Sequence, residues 1–84
     1  MNRKILRFTA SWCGPCKMLA KNIDVLVLPV PVEVVDIDDQ FDLATQYNIR
    51  GVPTLVMVED GKEVGRLVGM KTIPELEKWV NSFS

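Results

Sequence analysis

Trp12-Cys13-Gly14-Pro15-Cys16-Lys17 governs how the chain is understood, because it sets its only two cysteines three residues apart, where a strand-like run gives way to a helical pattern. A disulfide needs its Cα atoms about 4.4–6.8 Å apart, and one helical turn begun at Cys13 supplies that span. Cys13 and Cys16 are therefore expected to cycle between dithiol and disulfide. At the start of a helix, unpaired backbone N–H groups and the positive end of the helix dipole favour a thiolate, which makes Cys13 the expected nucleophile. Cys16, one turn further in, is expected to lie deeper and to resolve a mixed disulfide by expelling the substrate. Pro15 suits an early helical position, since it has no N–H to leave unpaired. Gly14 keeps bulk away from an attacking partner.

On the N-terminal side of this motif, Lys4 to Thr9 is a short apolar and β-branched run that reads as a buried strand. From Pro15 to about Val27, Leu19, Ile23, Leu26 and Val27 recur at helical spacing. Pro29 and Pro31 end that helix, and Val32 to Ile37 reads as a second strand, parallel to the first through a right-handed crossover. Asp39 to Tyr47 is expected to be a short helix closing near Asn48, with Phe41, Leu43, Ala44 and Tyr47 available for burial. Thr54 to Val58 and Glu63 to Val68 flank Asp60-Gly61, a strong hairpin-turn dipeptide, and should pair antiparallel. Thr72 and Glu75 have the spacing of a capping box, with Ile73, Leu76, Val80 and Phe83 as the buried face of a last helix. Trp79 lies off that stripe and reads as core or helix edge. The order βαβαββα predicts an α/β three-layer sandwich, a four-stranded mixed sheet in the order 2-1-3-4 flanked by three helices, with residues 1–84 as a single domain. The cysteines then lie at the C-terminal end of a central strand, where ligands approach open α/β sheets.

Composition narrows the function. The chain is 48% apolar and 25% charged with a net charge of −1, as in an ordinary globular protein. Ten basic residues scattered among eleven acids leave no stripe to neutralise phosphates, so no nucleic-acid partner is expected. The apolar run after Met1 is broken at Arg7, which does not suit a signal peptide, and Val25 to Val35 is too interrupted to span a bilayer. A reducing, cytoplasmic location and no membrane partner are the expectation. There, two cysteines at this spacing point to redox chemistry or metal binding rather than a structural staple. A closed zinc site wants four Cys or His ligands, and the chain has two cysteines and no histidine, so no metal is expected.

These residues resemble the thioredoxin family. Trp12 to Met18, Asp36-Ile37-Asp38, Tyr47 to Thr54, Asp60-Gly61 and Val68-Gly69 stand in the family's order and spacing, and the match covers nearly the whole chain. The resemblance implies a thioredoxin fold and a thiol-disulfide oxidoreductase that reduces protein disulfides. It also implies a monomer, re-reduced by a thioredoxin-reductase-like donor, that needs no cofactor beyond its own redox-active disulfide. Pro53 becomes the family's cis-proline, opposite Cys13, exposing Val52 for pairing with an extended substrate segment. Trp12, Gly51, Val52, Gly69 and Met70 become the flat apolar patch on which a target rests, and Gly14, Pro15 and Lys17 become residues that tune the cysteines. Ile49 belongs to either patch or core.

The chain also departs from the pattern. It is shorter than an ordinary thioredoxin, as if lacking an N-terminal strand and helix, and its length is like that of a glutaredoxin. Six residues before the first cysteine, where the family carries a buried aspartate, stands Arg7; Val34 replaces a partner lysine, and Lys21 replaces a helix proline. If Arg7 points toward the cysteines it favours the thiolate and raises the redox potential; if it snorkels to solvent and pairs with an acid such as Asp36, the effect vanishes. Three other functions stay open. One is a glutaredoxin-like enzyme, with Lys17, Arg50 and Lys71 available for the carboxylates of glutathione. Another is a non-catalytic module that grips a partner through the apolar patch, and a third is a carrier that holds zinc or copper through the two thiolates.

Overall fold

β1 (Arg3–Thr9) is the strand around which the rest is arranged in the computed structural model, which describes residues 2–83. It pairs in parallel with β2 (Val32–Asp36) on one side and antiparallel with β3 (Thr54–Glu59) on the other. β3 in turn pairs antiparallel with β4 (Lys62–Val68), giving the sheet order β2-β1-β3-β4. That is the order expected from the succession of elements. Asp60 and Gly61 both take positive φ, 51° and 84°, as a type I′ hairpin turn requires.

Alternation along β1 divides the core into two layers. Ile5 points to the side covered by α1 (Gly14–Asp24) and α3 (Ile73–Asn81), where it joins Leu19, Ile23, Leu55, Met57, Leu76 and Val80. Leu6 and Phe8 point to the other side, with Val35, Val56, Val58 and Ala44 of α2 (Phe41–Gln46). Phe8 is fully buried and tilts against Tyr47 at a ring-centroid distance of 5.9 Å. Each large side chain withdrawn from water in this way stabilises by about 1.5–3 kcal/mol. At Gly65 the Phe83 ring, which packs on β4 from the end of α3, fills the space a side chain would take: a Cβ there would come within 2.5 Å of it, so the ring would have to shift.

Four expectations are corrected. α1 stops at Asp24 rather than near Val27; the Leu26 N–H bonds to the Ile23 carbonyl in a tightened last turn, and Val27 is fully exposed while Leu26 still packs on the core. Leu28 precedes Pro29 and is driven to extended backbone, so the chain must leave the helix early to reach β2. α2 begins at Phe41, not Asp39, and its N-cap Gln40 makes no side-chain cap bond. Phe41 is 70% exposed instead of buried, because this helix sits at the end of the sheet and only Ala44 turns fully inward. Of the residues expected on the buried face of α3, Leu76 and Val80 are buried, while Ile73 and Phe83 are half-buried. Trp79 meets Phe83 edge-on at 5.3 Å, at the margin of the core.

α3 starts on a complete capping box. The Thr72 hydroxyl accepts from the Glu75 N–H, while Glu75 Oε1 accepts from the Thr72 N–H at 3.0 Å and hydroxyl at 2.9 Å. The backbone N–H of Thr72, then its hydroxyl, hold the Glu75 carboxyl below its ordinary value. A depressed carboxyl contributes stability above the ordinary carboxylate range and loses it as pH falls through the folded-state value. Thr72→Ala is expected to cost about 1 kcal/mol at neutral pH, and the deficit against the parent should narrow in acid. Paired thermal melts at the two pH values check it; a deficit that widens in acid contradicts the assignment.

Candidate functional site

The antiparallel pairing of β1 with β3 brings the end of one strand to the start of the other, so Phe8 stands opposite Thr54. The turn leaving Thr9 therefore meets the loop that enters Thr54. Cys13 leaves β1 through a turn in which its N–H bonds to the Ala10 carbonyl at 3.2 Å. It then serves as the N-cap of α1: its Sγ accepts from the Cys16 N–H at 3.2 Å, with Pro15 in the first turn. Cys13 and Cys16 are joined by a disulfide with Cα atoms 5.3 Å apart, inside the range an unforced bridge needs. Across from them the Val52–Pro53 peptide bond is cis, and the Val52 carbonyl oxygen lies 3.8 Å from Cys13 Sγ.

The two sulfurs differ less in burial than expected. Cys13 is 5% exposed and Cys16 1%, both packed with Ala10, Ile37 and Val52. What separates them is polarity. Cys13 Sγ takes a backbone N–H and faces the Val52 carbonyl, whereas Cys16 lines a shallow cavity of about 240 Å³ with Arg7, Lys17, Ala20 and Asp36. Gly14, between the two cysteines, is exposed, and a Cβ there would meet nothing within 4 Å.

Beside Cys13 runs a cleft of about 420 Å³ lined by Trp12, Ile37, Asp38, Phe41, Ala44, Ile49, Arg50, Gly51 and Val52, among others. Trp12 is 68% exposed, and its indole Nε1–H donates to Asp38 Oδ2 at 3.1 Å, which fixes the ring at the cleft's edge. Thr54, buried at the start of β3, donates its hydroxyl to the Gly51 carbonyl at 2.8 Å and holds the Gly51–Pro53 loop in place. Arg66 of β4 donates to the Tyr47 carbonyl at 2.7 Å, anchoring the end of α2 from which that loop departs. Ile49 serves both sets, packing on the core and lining the cleft. Gly69 and Met70 lie on the other side of Pro53: the Gly69 N–H bonds to the Pro53 carbonyl at 2.9 Å, and Met70 approaches Asn22. The cleft thus gathers Trp12, Gly51 and Val52, while Gly69 and Met70 flank it across the proline.

Sequence reasoning missed Asp38 and Phe41 as parts of this surface. The signal for Asp38 was an acid just past the end of β2, beside the β1 exit. Nothing in the helical pattern distinguished Phe41 from a core residue.

A disulfide bridging one helical turn, its first sulfur capping the helix beside an exposed cleft, defines a thiol-disulfide oxidoreductase. The comparisons agree. The sequence profile of the family described as Thioredoxin matches residues 1–82. The thioredoxin of Chlamydia caviae is 41% identical over 83 residues, an alignment covering 95% of this chain and 81% of that protein. A mitochondrial thioredoxin of Mus musculus is 38% identical over 80 residues, covering 90% of this chain and 48% of the other. Among solved structures, a point-mutant thioredoxin from Halobacterium salinarum superposes with a TM-score of 0.90 at 36% identity, over 98% of this chain and 74% of that one. Fasciola hepatica thioredoxin gives 0.89 at 31% identity, over 99% and 82%. The chain belongs to the thioredoxin family and is a protein-disulfide reductase.

Asp38→Ala leaves the Trp12 indole without its protein partner. The ring should loosen and KM for a protein disulfide rise about two- to fivefold, the worth of one hydrogen bond of about 0.5–1 kcal/mol, while reaction with a small aromatic disulfide is unchanged. Steady-state insulin reduction alongside the small substrate checks this; equal losses on both would contradict it.

Proposed function

We propose that Cys13 is the nucleophile and Cys16 the resolving thiol of a cycle that reduces protein disulfides. The observation that carries this division is the Cys13 Sγ position, accepting a backbone N–H from the first turn of α1. In the reduced chain the same N–H stabilises negative charge on that sulfur and favours its thiolate. The Cys13 thiolate attacks one sulfur of the substrate disulfide; that bond breaks, the second substrate sulfur leaves as a thiolate, and a mixed disulfide forms. Cys16 then attacks Cys13 Sγ, the mixed disulfide breaks, and the other substrate thiolate leaves. Two electrons pass to the substrate, and the Cys13–Cys16 bond closes at the separation seen in the oxidised chain.

The protein substrate rests on Trp12, Gly51, Val52, Pro53, Gly69 and Met70. Val52 lies outside the sheet ladder beside Cys13, which suits it to pair with an extended segment as an added strand does. Gly14 admits that segment, and Pro15 and Lys17 shape the helix start. One chain supplies both sulfurs and the docking surface, so the working unit is a monomer, and the disulfide carries the electrons without a cofactor. The donor is a thioredoxin-reductase-like dithiol enzyme, and the setting is a reducing compartment such as the cytoplasm, where the dithiol form persists. Among the described residues no helix is long and apolar enough to cross a membrane.

Insulin reduction driven by a thioredoxin reductase is expected for the parent chain, with turnover reduced to background in Cys13→Ser. Cys16→Ser should attack once and accumulate a mixed disulfide visible by mass spectrometry. Multiple turnovers in either variant would refute the assigned roles, and turnover supported by glutathione but not by a reductase would refute the donor.

A further inference from the structure

Arg7 is the one ionic side chain of β1 set on the α1 side of the sheet near the disulfide. Alternation places it on the face of Ile5, and the register sets it between Val34 of β2 and Leu55 of β3. Val34 is 53% exposed and Leu55 is buried, so Arg7 stands where the covered part of the sheet meets its open margin. It is half-buried, and among the described residues it makes no hydrogen bond or ion pair. The pairing with Asp36 that would have neutralised it is absent: the Asp36 carboxylate instead accepts from the Asp38 N–H at 2.9 Å. A guanidinium stays charged at any accessible pH. What it shares a cavity with is Cys16.

We infer that Arg7 is a positioning residue for the second step of the cycle, a cation that faces the Cys16 sulfur across the shared cavity and favours its thiolate. The inference rests on the assignment of Cys16 as resolving thiol. Three charged groups border that cavity: Arg7 from β1, Lys17 from α1 and Asp36 from β2. Two are positive and one negative, so the balance at the sulfur favours negative charge. When Cys16 must attack, its proton leaves to water through the cavity, the sulfur attacks Cys13 Sγ as a thiolate, and the departing substrate thiolate carries away the electron pair.

An opposite charge within about 4–6 Å shifts a titration by about one to three pH units, and across a cavity with room for water the expected effect lies at the low end, about one unit. One unit gives about ten times more thiolate at neutral pH, but a less basic thiolate is a weaker nucleophile with a Brønsted slope of about 0.4–0.5, so the net gain is about threefold. At high pH, where both forms are fully ionised, the sign reverses and the weaker nucleophile is slower.

The test is made on the full chain carrying a thionitrobenzoate mixed disulfide on Cys13, formed in acid and then jumped to a series of pH values while the released chromophore is followed. In Arg7→Leu the midpoint of the expulsion rate should move up by about one pH unit. Expulsion should be about threefold slower than in the parent at neutral pH and faster above both midpoints. Arg7→Lys should restore most of the parent profile, and Arg7→Gln carries the same expectation as Arg7→Leu should the latter not fold. The initial attack of Cys13 on Ellman's reagent should be unchanged throughout. A midpoint that does not move in Arg7→Leu or Arg7→Gln, or that moves equally in Arg7→Lys, overturns the role of Arg7. Absence of expulsion from the parent at every pH overturns the resolving role of Cys16 and the inference with it.

Discussion

The hydrogen bond from the Cys16 N–H to Cys13 Sγ is the contact from which the chemistry of the site derives. The first amides of an α-helix have no partner inside the helix, and the usual remedy is an oxygen from Ser, Thr, Asp or Asn at the N-cap. Here a sulfur takes that place, so the group that caps the helix is also one of the two that form the redox-active bridge. In the bridged chain the backbone donor already meets this sulfur. It does most for the sulfur when that sulfur bears negative charge.

For that cap to matter, the sulfur must also be reachable by a partner, and the sheet arranges this. β1 brings the cysteine turn to the end of the sheet, and antiparallel β3 brings the Val52–Pro53 peptide to the same end from a distant part of the chain. Neither segment is positioned by its own local preference alone. Phe8, fully buried between Val35 and Val56, holds β1 to its neighbours, and the Thr54 hydroxyl bond to Gly51 shapes the loop that faces the disulfide. The indole bond of Trp12 to Asp38 brings the end of β2 into the same surface. Three separate connections thus meet around one sulfur atom.

Much of this was legible in the residues. The hand-over from strand to helix at Cys13, the two positive-φ positions at Asp60 and Gly61, and the capping box at Thr72 and Glu75 are all short-range features, where local chemistry determines local geometry. The sheet order followed from the succession of elements and the handedness of crossovers. What was not legible depended on where an element sits rather than on what it is made of. Phe41 has the character of a core residue and lies in the cleft because α2 is short and placed at the end of the sheet. Val27 continues a helical spacing and is exposed because the approach to Pro29 ends the helix before it. For Arg7 the sequence left two orientations open, since a long cationic side chain on a marginal strand can turn inward or outward; the structure sets it half-buried in the lining of one shallow cavity with Cys16.

With Cys13 as the proposed nucleophile, the helix cap should make the two thiols unequal and favour negative charge on Cys13. The sharpest check is the rate of iodoacetamide alkylation against pH on the fully reduced chain, with each cysteine followed separately by peptide mass spectrometry. Cys13 should react first, with a midpoint below the ordinary cysteine value of about 8.5, and Cys16 should follow with a higher one. A Cys13 midpoint at or above the ordinary value, or modification of Cys16 ahead of Cys13, would show that the cap does not set the order of the two sulfurs.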